Sequence, residues 1–158
     1  MPGIHLITMS ADIRVLAIAV FRTGDRVLVA RGVDPASGDP FYRPLGGRVE
    51  FGERATIALS REIAEELGGT IEDLHLLGVL ENLFEYAGSP QHEIVFVFDA
   101  RFSDPSWYSR AELPVTEAGT GWEAARWISI QALSSGPERL VPEGLLPLLR
   151  AQGNVRPA

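Results

Sequence analysis

Two rhythms of apolar and polar positions run along this chain. Ile13 to Phe21 (IRVLAIAVF) is almost uninterrupted apolar sequence and largely β-branched, the pattern of a buried strand. After the turn signal Thr23-Gly24-Asp25, Arg26 to Arg31 (RVLVAR) returns in the same style, so the two segments read as a hairpin. Gly32 to Pro40 is a loop rich in Pro, Gly and Asp, followed by short strand candidates at Phe41 to Leu45 and Arg48 to Phe51. Leu74 to Tyr86 and Glu93 to Phe102 read as long strands joined by a turn at Gly88-Ser89-Pro90-Gln91. In the second of them Val95 and Val97 alternate with Phe96 and Phe98, which implies burial on both faces. Ala125 to Ile130 is a last strand, and Trp107 to Gly121 an irregular connection.

The helical rhythm is found twice. From Glu53 to about Leu67 the residues Leu59, Ile63 and Leu67 recur at i, i+4 and i+8, and Gly68-Gly69 supplies the stop. From Glu138 to Arg150 the residues Leu140, Leu145, Leu148 and Leu149 suggest a terminal helix that Pro142 and Pro147 shorten. Strands on both sides of a central helix, closed by a helix at the end, predict an α/β fold: a three-layer α/β/α sandwich around a mixed β-sheet. The length of 158 residues, with no repeat or linker, predicts a single domain.

The polar face of the first helix carries the chemistry. Gly47 to Gly68 reads GRVEFGERATIALSREIAEELG, which places Glu62, Glu65 and Glu66 at i, i+3 and i+4 on one face. Like charges at that spacing destabilise a helix by about 0.2–0.5 kcal/mol per pair. A divalent cation offsets that repulsion, and hard carboxylate oxygens suit Mg2+ or Mn2+.

The same stretch resembles the Nudix box, the signature of hydrolases that cleave a nucleoside diphosphate linked to another group. Gly47, Glu53, Arg61, Glu62, Ile63, Glu65, Glu66 and Gly68 each stand where the box has them. Gly69 departs from the apolar residue that usually closes the box, and Leu45-Gly46-Gly47 replaces the common Pro-Gly-Gly. The resemblance implies the sandwich fold and a site in which Glu62 and Glu66 bridge the metal, with Glu65 as the third carboxylate. It further implies the backbone carbonyl of Gly46 as a ligand, Glu53 as a ligand or supporting group, and Arg61 as an orienting residue. Gly47 would allow close approach of loop and helix.

The general base is less constrained, since the family draws it either from the box or from a later loop. Glu123 is the loop candidate, with Glu93 and Glu117 as rivals. The solitary histidines His5, His75 and His92 fit structural or surface roles better than catalysis. Trp107, Trp122 and Trp127 read as core or rim, Trp122 being the best exception, and Tyr86 reads as packing.

Composition narrows the partners. Without cysteine there is no disulfide, thiolate metal site or cysteine nucleophile. The net charge of −7, with arginines scattered and no lysine, argues against an extended nucleic-acid interface and leaves a small nucleotide as the expected partner. The longest apolar run is far short of a membrane span and no signal peptide is visible, so a soluble cytoplasmic protein is expected. A homodimer is compatible with the resemblance. The expected function is a metal-dependent pyrophosphohydrolase acting on nucleoside di- or triphosphates, nucleotide sugars, ADP-ribose or dinucleoside polyphosphates. The alternatives are a non-catalytic nucleotide-sensing domain, against which the full set of box glutamates counts, and an RNA-decapping enzyme, against which the acidic charge counts.

Overall fold

The computed structural model describes residues 11–116 and 123–152. Its elements in chain order are β1 (Ile13–Val20), β2 (Arg22–Thr23), β3 (Arg26–Val33), β4 (Pro40–Arg43), β5 (Leu45–Arg48), α1 (Ala55–Leu67), β6 (Ile71–Tyr86) and β7 (Ser89–Phe102). A 3-10 turn at Pro105–Ser109 leads to β8 (Glu112–Leu113), β9 (Ala125–Ser129), α2 (Ile130–Ser135), β10 (Arg139–Leu140) and α3 (Leu145–Ala151).

The strands form two sheets. One is mixed, in the order β5-β1-β7-β6, with β1 parallel to β7 and the other pairs antiparallel. The other runs β10-β4-β3-β9-β8, with β2 appended to β3. The sequence pattern suggests that β1 and β3 form a hairpin, but only the two residues of β2 pair across that turn. β1 instead lies between β5 and β7. Its residues from Ala17 to Val20 are buried, so it needs cover on both faces, and the centre of a sheet provides it.

Two apolar clusters back the mixed sheet. Leu59 and Ile63 of α1 pack with Ala17, Ala19, Phe98 and Phe102 on one side. Leu145 and Leu149 of α3 pack with Ile18, Val20, Val95 and Val97 on the other. The alternation along β7 thus has the two-sided burial its sequence implies, and the layers are those of an α/β/α sandwich. β6 lies at the edge of the mixed sheet, and its outer side pairs with no other strand among the described residues. It carries the exposed apolar side chains Leu76, Val79 and Leu83.

Several boundaries move from where the pattern puts them. α1 begins at Ala55, leaving Glu53 ahead of it, because Gly52 has φ +82° and Arg54 is extended. The two short strands centre on either side of Pro44, which has no N–H to give a ladder. The turn between β6 and β7 is the pair Ala87-Gly88, with φ +52° and +75°, while Pro90 sits inside β7 opposite Glu85. The tail helix is reduced to α3, since Pro142 and the left-handed Gly144 precede it; Pro147 is tolerated in its first turn, where no N–H partner is needed. α2 has no counterpart in the helical rhythm; Ser129 caps it, accepting from the Ala132 N–H.

Candidate active site

α1 and β5 build the site together. The helix ends at Gly68, whose φ of +73° lets its N–H reach the Ala64 carbonyl at 2.9 Å. The buried stripe Ala58, Leu59 and Ile63 fixes the roll of the helix on the sheet. That roll turns Glu62 and Glu66 inward and leaves Glu65 outward. Glu66 is 5% exposed, and the side chains of Glu62 and Glu65 are 17% and 60% exposed.

Glycine at 46 and 47 makes the approach of β5 possible. Gly46 has φ +143°, and a Cβ there would collide with the Ala17 carbonyl. At Gly47 a Cβ would fall on the carboxyl group of Glu62. The Glu62 carboxylate therefore lies directly against the strand that bears the Gly46 carbonyl.

Arg61 ties the acidic groups to one another. Its Nε and one terminal nitrogen hold both oxygens of Glu53 at 2.9 Å. The other terminal nitrogen donates to Glu62 at 2.8 Å and, more weakly, to Glu65 at 3.4 Å. A further bond of 3.0 Å reaches the Arg48 carbonyl of β5. The bonds from Glu53 and then Glu62 raise the Arg61 pKa, and the Arg61 hydrogen bonds hold Glu53 below the usual carboxylate range. Glu53 also accepts the Glu50 N–H, so the turn before the helix is locked onto the arginine.

Among the described residues no three acidic or imidazole side chains converge on a common point at which a cation would sit. Arg61 is the positive group among Glu53, Glu62 and Glu65 in this arrangement. The donor set nevertheless fits a hard divalent ion: carboxylates at i, i+3 and i+4, two of them turned inward, beside a strand stripped of side chains at 46 and 47.

The loop candidates are placed differently from one another. Glu123 stands just before β9, half exposed, with its carboxylate 3.2 Å from Arg31 and its N–H bonded to the Arg31 carbonyl. Arg31 in turn is gripped by both oxygens of Glu138 at 2.9–3.0 Å. Tyr42 also hydrogen-bonds Glu138, and burial raises the tyrosine pKa. Trp127 stacks on Tyr108 at 5.5 Å, a packing contact. Trp122, Glu117 and His5 lie outside the described residues.

Glu93 is buried and paired with Arg14, on the sheet face away from α1 with Val95 and Val97. His92 bonds Glu81 at 2.9 Å, and His75 is exposed. Tyr86 meets Phe41 edge-on at 6.2 Å, a packing contact. Gly69, the departure from the box, has a local reason: a Cβ there would stand 3.2 Å from the Trp107 ring.

Sequence reasoning does not reach Arg31, Tyr42 and Glu138, which are distant in the chain and carry no motif. Nor does it reach Thr116, whose N–H bonds the Glu66 carbonyl at 2.8 Å and ties the connection after β8 to the box helix.

A family model described as the NUDIX domain matches residues 11–149. The NAD-capped RNA hydrolase NudC of Mycobacterium tuberculosis is 31% identical over 109 residues, covering 64% of this chain and 34% of that protein. The oxidized purine nucleoside triphosphate hydrolase of Mus musculus is 28% identical over 86 residues, 48% of this chain and 54% of that protein. The matched stretch thus spans about a third of one relative and about half of the other. Among solved structures, a MutT NUDIX hydrolase from Burkholderia pseudomallei is similar with a TM-score of 0.65 and 28% identity, over 87% of this chain and 97% of that one. With the box in sequence and the sandwich in structure, these matches lead to one conclusion: the chain belongs to the NUDIX domain family.

Proposed function

We propose that this chain is a divalent-cation-dependent pyrophosphohydrolase that splits a nucleoside diphosphate from the group attached to it. The observation that carries the proposal is the contact between the Glu62 carboxylate and the bare backbone at Gly47, with Glu66 buried one turn further along the same face. That contact sets acidic oxygens against the strand that contains Gly46. NUDIX hydrolases generally use divalent metal ions. Glu62, Glu65, Glu66 and the Gly46 carbonyl would hold Mg2+ or Mn2+ here, with Glu53 in support. The ion supplies neutralisation of phosphoryl oxygens and a more acidic water.

The chain's own residues do the rest. Arg61 fixes Glu53 and Glu62 in register with β5, so the acidic face is ordered before substrate arrives. Water attacks one phosphorus, the P–O–P bridge breaks, and the leaving phosphate takes the bridging oxygen. A carboxylate receives the proton of the water. Glu123 is the candidate outside the box, and Arg31 holds it in place.

The substrate class follows from shared chemistry. One relative is named for NAD-capped RNA and another for an oxidized purine nucleoside triphosphate; both substrates contain a nucleoside diphosphate unit. Nucleotide sugars, ADP-ribose and dinucleoside polyphosphates contain it too. The charge of −7 without lysine favours the small members of this set over a long RNA. Among the described residues no helix is long and apolar enough to cross a membrane.

The test is a panel of these compounds incubated with Mg2+ or Mn2+, with products identified. Phosphate-bearing products that vanish with EDTA are expected. Hydrolysis at full rate in metal-free buffer, or no hydrolysis of any member, contradicts the proposal.

A further inference from the structure

A second cleft, of about 450 Å3, shares no lining residue with the acidic face. It is lined by Thr23, Arg26, Tyr108, Ser109, Arg110 and Trp127. Arg26 begins β3, and Arg31, which holds Glu123, lies five residues along the same strand. At about 3.3 Å per residue the two guanidinium-bearing backbones stand roughly 17 Å apart. No residue of the Gly47–Gly68 stretch lines this cleft.

Two arginines share its lining, and neither is neutralised by a carboxylate among the described residues. Arg14, Arg31, Arg61, Arg101 and Arg126 each pair with a carboxylate. Arg26 and Arg110 form no ion pair among the described residues, although the protein carries a net charge of −7. Arg110 is held in place by the Trp107 ring, 4.2 Å from its guanidinium carbon. The carboxylate that feels its charge, Asp104, already accepts from the Ser106 N–H. The Ser109 hydroxyl is donated to the Ser106 carbonyl and the Tyr108 hydroxyl accepts the Phe102 N–H, while Thr23 adds a further hydroxyl to the lining.

The lining is also aromatic. Tyr108 and Trp127 stack at 5.5 Å with an angle of 29° between their planes. The Trp127 indole N–H is buried and has no acceptor among the described residues, an uncommon state for a polar group. Two guanidinium groups and two stacked aromatic rings in the lining of one cleft of this size match the recognition of an anion that carries a ring.

We propose that this cleft is a second ligand site, separate from the hydrolytic centre, that takes a phosphate monoester borne on a planar ring: a mononucleotide. Arg26 and Arg110 hold the phosphate, Thr23 adds a hydroxyl, and the ring lies along Tyr108 and Trp127.

The test is calorimetric titration of the full chain with AMP in EDTA, in a Glu66→Gln background that disables the hydrolytic site. Adenosine and inorganic phosphate are the control ligands, and an Arg26→Gln/Arg110→Gln pair is the variant. Saturable AMP binding is expected, weakened by about tenfold or more in the double variant, the scale of losing one to two charge-assisted hydrogen bonds. Adenosine and phosphate should each bind more weakly than AMP, and the variant should melt as its parent does. Equal AMP affinity in parent and variant, adenosine binding as well as AMP, or no saturable binding overturns the site. Phosphate binding as tightly as AMP overturns its assignment to a nucleotide.

Discussion

The carboxyl group of Glu62 occupies the space that a side chain at position 47 would need, so Gly47 and Glu62 form one steric unit. The glycine's φ lies outside the left-handed region, so an alanine fits the backbone and only the carboxylate must yield. Gly47→Ala is therefore expected to keep the melting temperature close to wild type. It should lower kcat by about a hundredfold, the scale of misplacing a catalytic group by about 1 Å. A variant as active as wild type would show that Glu62 works from another position.

Glu62→Gln and Glu66→Gln should each reduce turnover by about a hundredfold or more, the magnitude typical of losing a major charge-stabilising element. Their effects on stability should differ. Glu62 is a partner of Arg61, so its neutralisation weakens an ion pair as well as relieving repulsion within the helix. Glu66 is buried on the same acidic face, and its variant, which relieves repulsion there, should melt at or above the wild-type temperature in metal-free buffer. Steady-state kinetics with thermal melts of both proteins tests the pair, and near wild-type turnover in either contradicts the ligand assignment.

Arg61→Ala should lower both stability and activity, activity by about tenfold or more through loss of order in the acidic face. Its signature is in the pH dependence of folding. Glu53 has a depressed pKa in the folded protein, chiefly through Arg61, so its contribution is complete above its unfolded pKa of about 4.3 and is lost as pH falls through the lower folded value. Wild-type melting temperature should therefore fall more steeply than that of Arg61→Ala on acidification below about pH 4, where the Glu53 contribution disappears. Parallel curves would show that the pairing of Glu53 contributes nothing to stability.

Glu123→Gln should reduce turnover by about a hundredfold or more, the low end of general-base contributions, while leaving the Mg2+ dependence unchanged. The acidic limb of the pH–rate profile should be lost with it. Arg31→Gln, which releases both the Glu123 carboxylate and Glu138, should reproduce part of the loss. An unchanged rate and profile in Glu123→Gln assigns the proton transfer to the box.

The acidic helix is legible in sequence because every residue that defines it lies within one run from Gly47 to Gly68, where spacing translates directly into a helix face. The buried strands are legible for a related reason, since β1 and β7 each write their two-sided burial into continuous apolar runs. What sequence does not supply is pairing at long range. The apparent hairpin of β1 with β3 is local and plausible, yet β1 gains more cover between β5 and β7 than its turn suggests. The Arg31–Glu138 pair joins residues 107 positions apart, and no local pattern encodes it. Short elements fail for another reason. α2 is six residues long, less than two turns, so no periodicity can accumulate, and only the Ser129 cap marks its start.

The outer side of β6 bears on how this protein behaves in concentrated solution. It is a sixteen-residue strand at a sheet edge with Leu76, Val79 and Leu83 exposed along it, the kind of template on which further chains add. Glu81 and Glu85 alternate with those side chains on the same strand, so a second copy arriving there brings like charge against like. Charge at this edge, strongest at low salt, is then expected to oppose such addition. Light scattering should rise as ionic strength increases or as pH approaches the isoelectric point near 4.9, and Val79→Lys with Leu83→Lys should delay that rise.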